Sequence, residues 1–120
     1  MTRLPPEIQG YSFGRIEIGG QIYTGDVIIL PEGVVANWWR KEGHVLHADD
    51  LHVLLTSKSK PSTLIVGQGT ESRMRVARDA RETLQAAGIA LIAESTETAC
   101  ESYNALRKQG NVAAALHLTC

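Results

Sequence analysis

Thr63-Leu-Ile-Val-Gly-Gln-Gly-Thr70 decides the fold: a short apolar run breaks at two glycines and gives way to a polar, periodic stretch. An apolar run of this length, bounded by turn residues, is the signature of a strand buried on both faces. Beyond it, Met74, Ala77, Ala80, Leu84 and Ala87 fall on one helical stripe. The spacing predicts a long helix opened by Thr70 and ended by Gly88, the residue type a helix C-terminus favours. Ile89-Ala-Leu-Ile92 repeats the buried-strand pattern. Ser95 or Thr96 is placed to cap a second helix running to about Gln109, which Gly110 stops, and Val112 to Leu118 supplies the last strand. Strand, helix, strand, helix, strand at these intervals predicts right-handed parallel winding.

Toward the start of the chain the period changes. Tyr11-Ser-Phe-Gly-Arg-Ile-Glu-Ile18 alternates, and its parity shifts at Gly14, which reads as a bulge in one strand. Gly19-Gly20 is a two-residue hairpin signal. It returns the chain through Gln21–Thr24 into Asp26-Val-Ile-Ile-Leu30, stopped by Pro31. Short strands are expected around 34–38 and 44–46. Ala48–Leu55 reads as a short helix capped by Asp49, with Leu51, Leu54 and Leu55 on one face. Residues 1–10 carry adjacent prolines and no periodicity, and read as an extended arm ahead of one domain over 11–120. The expected architecture is a single α/β domain. Its central mixed sheet is antiparallel in the N-terminal part and parallel β-α-β-α-β in the C-terminal half, with helices packed on the sheet.

Composition bounds the function. At 120 residues, with 43% hydrophobic and 21% charged residues, the chain buries roughly two-thirds of its surface on folding and needs no staples. Twelve Lys+Arg against thirteen Asp+Glu leave a formal charge of −1, so no basic field draws in nucleic acid. Arg73, Arg75, Arg78 and Arg81 interleave with Glu71, Asp79 and Glu82 and read as a solvated face with Arg75–Asp79 and Arg78–Glu82 pairs. The start, Met1-Thr-Arg-Leu-Pro-Pro-Glu-Ile8, lacks the apolar centre of a signal peptide. No apolar run approaches the ~20 residues of a membrane span. Cys100 and Cys120 do not make a disulfide framework. The expectation is a cytoplasmic protein with reduced thiols, no membrane insertion and no cofactor.

Two surfaces carry the functional candidates. Adjacent tryptophans on an extended segment point to opposite faces, so Trp38-Trp39-Arg40 predicts one tryptophan in the core and a partner surface around the other. The second candidate is a small-ligand cleft, of a binding protein or an enzyme, outside the carboxyl ends of the parallel strands. It would gather Gly67, Gly69, Thr70, Ser95 and Thr96, with Tyr103 and Asn104 along its wall. Helix-terminal amides after a glycine turn attract anions. Yet position 72 is serine where a dinucleotide fingerprint needs glycine, and no Walker lysine follows.

Two further constellations hold chemistry-bearing residues without the spacing a site needs. His44, His47, Asp49, Asp50 and His52 hold metal-ligand chemistry within nine residues. His44 and His47 would nevertheless face opposite sides of a strand, and Asp49 serves better as a cap, so no metal site is expected. Cys100 is a nucleophile only if His117 approaches it in space. Otherwise it is a small buried hydrophobe.

Val27-Ile-Ile-Leu-Pro31, Trp38, Leu64-Ile-Val-Gly-Gln-Gly69, Thr96-Glu-Thr-Ala99, Tyr103-Asn-Ala-Leu106 and Val112-Ala-Ala-Ala-Leu116 occur in this order. Together they resemble the small α/β Mth-type domain family that includes mitochondrial complex I assembly factor three and the adipogenesis-associated Mth-type domain protein. The likeness spans about residues 11–118. It implies one domain with a central mixed sheet, and no established enzyme activity or catalytic set. Eukaryotic relatives are linked to respiratory-complex assembly or to regulation through protein partners. The leading expectation is therefore a non-catalytic, assembly-factor-like protein-interaction module. A protein partner or self-association is expected at the surface near Trp38, Trp39 and Arg40, and the small-ligand cleft is the alternative. One departure stands out: members commonly carry an acidic residue, glycine and arginine after the last helix, where this chain has Gln109-Gly110-Asn111.

Overall fold

The computed structural model describes residues 4–120. In chain order the elements are β1 (Ile8–Ser12), β2 (Arg15–Ile18), β3 (Gln21–Tyr23), β4 (Val27–Leu30), β5 (Gly33–Val35), β6 (Val45–Leu46), α1 (His52–Leu55), β7 (Thr63–Gly67), β8 (Arg75–Val76), α2 (Arg78–Ala86), β9 (Ala90–Glu94), α3 (Thr96–Leu106) and β10 (Val112–Leu116). The main sheet runs β5-β4-β10-β7-β9. β7, β9 and β10 are mutually parallel where they pair, and β4 is antiparallel to both β5 and β10. The expected α/β domain with a mixed sheet is what the chain forms.

β10 sits at the centre, and all five of its residues are buried. Ala113 and Ala115 face a core built with Leu51 and Leu54 of the α1 segment, Leu84 of α2, Met74 and Trp38. Val112, Ala114 and Leu116 face the opposite core, built with Ala99, Cys100 and Tyr103 of α3 and with Ile8, Ile16 and Ile18. Side-chain alternation on one strand thus separates two apolar layers. Each layer buries on the order of a dozen large side chains, worth roughly 1.5–3 kcal/mol apiece before entropy is charged.

The structure corrects several sequence expectations. Gly14 is not a bulge: with φ +76° it turns a hairpin between β1 and β2. Residues 8–10, expected in the arm, already pair as β1, and residues 1–3 of that arm lie outside the described residues. The β1-β2-β3 unit forms its own antiparallel sheet rather than an extension of the central one. Gly19-Gly20 does turn β2 into β3, at φ +58° and +85°, the left-handed pair that a tight hairpin demands.

The long helix from Thr70 is the largest revision. Only Arg78–Ala86 is helical. Met74 and Val76 are buried while Arg73 and Arg75 are exposed, a period of two, and Arg75–Val76 pairs in parallel with Val45–Leu46. The predicted Arg75–Asp79 pair fails with it, since Arg75 lies on a strand. Ahead of α1, residues 48–51 form a 3-10 turn. There Asp50, not Asp49, accepts from the His47 amide at 2.9 Å. Gly88 and Gly110 end their helical segments at positive φ, as expected.

Candidate functional site

The segment 38–40 alternates about the protein surface. Trp38 and Arg40 are each 7% exposed, whereas Trp39 is 76% exposed. Trp38 is held by its backbone amide, which donates to the Asp26 carbonyl at 2.8 Å, and by its indole Nε1, which donates to the Asp50 carbonyl at 3.1 Å. The Arg40 guanidinium lies 4.7 Å from the Trp38 ring centroid, a cation–π contact strengthened by desolvation. Arg40 therefore belongs to the support beneath the surface, not to the surface itself, and the same correction applies to Trp38.

Beneath Arg40 lies a buried polar group that no sequence spacing announced. Arg40 Nη1 stands 2.8 Å from Asp26 Oδ2. It is off the hydrogen-bonding direction, so this contact is Coulombic rather than a formed bond. Arg40 Nη2 donates to the Gly43 carbonyl at 2.8 Å and reaches His117 Nδ1 at 3.0 Å. That same Nδ1 is 2.8 Å from Asp26 Oδ2. One ring nitrogen either accepts from Arg40 or donates to Asp26, and does one at a time. Asp26 Oδ1 accepts from the Leu118 amide at 2.8 Å. Burial pushes the Asp26 carboxyl up, but His117, the Leu118 amide and Arg40 outweigh it and hold the group below the usual aspartate range. The three side chains come from the β3–β4 connection, the Trp loop and the end of β10, brought together by the β4–β10 pairing.

Trp39 stands over an open groove of about 500 Å³ between β5 and the α1 segment, lined in part by Val35, Trp38, Lys41, His52 and Val53. Its walls are mostly apolar, with Asp49 and Asp50 along one side. A rigidly backed, exposed indole beside such a groove is the geometry of an interaction anchor.

The second candidate converges but is not an open cleft. Gln68 N–H donates to Glu94 O, Gly69 N–H to Thr96 Oγ1, Thr70 N–H to Thr119 O and Glu71 N–H to Cys120 O. The amides that would hold an anion are thus committed to the chain's own residues. Thr96 is fully buried and donates its hydroxyl to the His117 carbonyl at 2.6 Å, while Ser95 caps α3. Glycine is required at both turn positions. A Cβ at Gly69 would lie 2.1 Å from Cys120 C, and one at Gly67 would lie 2.9 Å from Leu116 and Thr96. Tyr103 and Asn104 point elsewhere: Tyr103 Oη donates to Pro6 O, and Asn104 pairs with both the amide and the carbonyl of Ile8. They fasten the N-terminal segment to α3 and line no wall at the strand ends.

The remaining constellations also disperse. His47 Nε2 meets Glu42 and its Nδ1 lies 3.5 Å from Asp79, so its two nitrogens serve different carboxylates. His44 instead sets its ring edge-on to His117, with centroids 5.9 Å apart. Cys100 packs with Leu116 and Leu118 on the α3 side of β10. His117 continues the opposite parity, so the two cannot form a nucleophile pair. Burial pushes the Cys100 thiol up to about 12, the reverse of activation.

No helix among the described residues is long and apolar enough to cross a membrane. Solved structures share the whole architecture. MT938 is 26% identical with a TM-score of 0.77, over 96% of this chain and 99% of that one. The conserved hypothetical protein PH1505 from Pyrococcus horikoshii OT3 is 21% identical with a TM-score of 0.80, over 95% and 99%. A Mth938-like domain protein from Bordetella pertussis is 21% identical with a TM-score of 0.75, over 94% and 85%. The profile of the DUF498/DUF598 proteins of unknown function matches residues 8–117, and the chain belongs to that family, as a small Mth938-type α/β domain.

Proposed function

We propose that the protein is a non-catalytic interaction module that binds a protein partner through Trp39 and the groove beside it. One observation carries this reading: an indole 76% exposed on a segment whose neighbours, Trp38 and Arg40, are both buried and bonded. Exposed tryptophan is costly to leave in water and is enriched where partners dock. Its backing is already ordered, so little conformational entropy remains to be lost on binding. The committed amides of the Gly67–Thr70 turn favour this reading over the strand-end cleft. The implied assembly-factor-like role fits a small domain that presents one anchor.

The test replaces Trp39 with photoreactive benzoylphenylalanine in the native cell, with the same replacement at Phe13 as a control. Phe13 is also exposed, at 63%, but lies in the β1–β2 turn. One discrete cross-linked polypeptide from position 39 and none from position 13 is the expected result. Identical adduct patterns from both positions, or none from position 39, would overturn the proposal.

A further inference from the structure

Among the described residues, the main sheet has two open edges, and only one of them is protected. β5 is three residues long and follows Pro31-Glu32; short length, proline and charge are the usual ways of blunting an edge. β9, at the other end, is five residues long, with no proline and a single charge at its last position. The register of β9 on β7 fixes which of its backbone groups are free. Ala90 N–H donates to Ser62 O and Glu94 O accepts from Gln68 N–H, with Ala90 opposite Thr63 and Glu94 opposite Gly67. Ala90, Ile92 and Glu94 therefore face β7. Leu91 and Ala93 turn their N–H and C=O groups outward, where no strand lies among the described residues. The side chains of Leu91, Ile92 and Ala93 are only half buried.

We infer that this edge pairs with the same edge of a second copy, antiparallel about a two-fold axis at Ile92, continuing the sheet through both subunits. The spacing is self-complementary. Leu91 of one copy meets Ala93 of the other, so each such pair exchanges both N–H···O bonds and the two pairs give four. The charges are compatible as well. Glu94 comes opposite Ala90 of the second copy rather than its own counterpart, and it is already engaged by Ser102 Oγ at 2.7 Å. The flank of α3 beside β9 is the one carrying Ser102, with Thr98 and Ala105 one turn away on either side. Glu97 and Glu101 lie on the other flank, in the hollow shared with Ile8, Gly10 and Tyr11. On the α3 face of the edge, small uncharged residues thus meet across the axis. A second copy fits where a charged peptide would find no counter-charge. This surface lies at the opposite edge of the sheet from β5 and the Trp39 groove, so the two contacts are independent.

Sedimentation velocity on the full chain at tens of micromolar is expected to show a dimer. Ala93→Pro removes a free amide that makes no bond within the monomer, so it should leave a folded monomer by circular dichroism. A monomeric wild type, or a dimer that survives Ala93→Pro, would overturn the inference. Should Ala93→Pro fail to fold, Ile92→Cys in a Cys100→Ala/Cys120→Ala background decides. Non-hydrogen-bonded antiparallel partners have Cα atoms ~4.5 Å apart, within disulfide reach. Mild oxidation should then link two copies through position 92, and no link would refute the register and the inference with it.

Discussion

Asp26 and Arg40 face each other at 2.8 Å with their side chains 16% and 4% exposed, an ion pair almost out of water. Its geometry joins the strand that borders β10 to the loop that carries Trp39. Removing one partner of a buried pair leaves the other charged and unpaired, at a cost of roughly 3–5 kcal/mol. Arg40→Ala also strips the guanidinium from Trp38. We expect a fall in stability of that order by urea denaturation. Arg40→Lys should recover only part of it, because one ammonium cannot reach Gly43, Asp26 and His117 from a single plane. A loss within 0.5 kcal/mol of zero, taken as roughly the range of ordinary surface substitutions, would mean the pair does not support the Trp loop.

The same carboxylate sets an acid limit. Its folded pKa lies below the ordinary value, so its contribution is fully present above about pH 4, the unfolded aspartate value, and is lost as pH falls through the folded pKa. Urea midpoints of the wild type and Asp26→Asn should therefore differ at pH 7 and converge in acid. A gap that persists unchanged down to about pH 2.5, well below the unfolded aspartate value, would show that charge on Asp26 is not the source of the difference.

His47 works with the opposite sign. Its pKa is raised, first by the hydrogen bond to Glu42, which with the Asp79 and Glu42 charges outweighs the opposing desolvation. The clasp between the 42–47 loop and the start of α2 is thus complete below about pH 6.5, the unfolded histidine value, and is released as pH rises through the folded pKa. Amide exchange in residues 42–48, corrected for intrinsic rate, should quicken across that window. His47→Gln should flatten the dependence, and an unaltered profile in that variant would sink the idea.

How much of this was legible in the sequence follows from distance along the chain. β7, β9, α3 and the turns at Gly19-Gly20, Gly88 and Gly110 rest on local patterns, and local patterns reveal them. The stretch 70–77 carried two patterns at once, a helical stripe through Met74 and Ala77 and an alternation through Met74 and Val76. Pairing with Val45–Leu46 chose the second, and no nearby residue signals that partner. The Asp26–Arg40–His117 group was invisible for the same reason, since β4 and β10 meet only in the folded sheet. What the sequence did carry was the opposition of Trp38 and Trp39. The in-out-in alternation, extended by one residue, would have buried Arg40 as well.

Gly69 tests whether the strand ends are closed. Its φ of +105° is strained for any other residue, costing roughly 1–3 kcal/mol in the backbone alone. A methyl there would also collide with Cys120 C at 2.1 Å. Gly69→Ala should therefore detach residues 117–120 from the turn as well as lower stability. The amides of Thr70 and Glu71, which donate to Thr119 and Cys120, should lose exchange protection before the β7 amides do. Protection retained at both would mean that the final residues do not close this end of the sheet.

The two tryptophans should separate by stability and by light. Trp38 packs in the core with Leu46, Leu51 and Leu54, so Trp38→Ala should cost roughly 3–5 kcal/mol. Trp39 makes no comparable burial, and Trp39→Ala should stay within about 0.5 kcal/mol of wild type. Fluorescence offers an independent reading. The Trp39→Phe protein, emitting from Trp38 alone, should be blue-shifted and resist acrylamide, whereas the Trp38→Phe protein should be red-shifted and readily quenched. Adding the partner should shift and shield the Trp38→Phe protein, which keeps the anchor, and leave the Trp39→Phe protein, which lacks it, unchanged. Equal responses from both would mean that a protein without Trp39 still binds the partner, and Trp39 as the anchor would have to be given up.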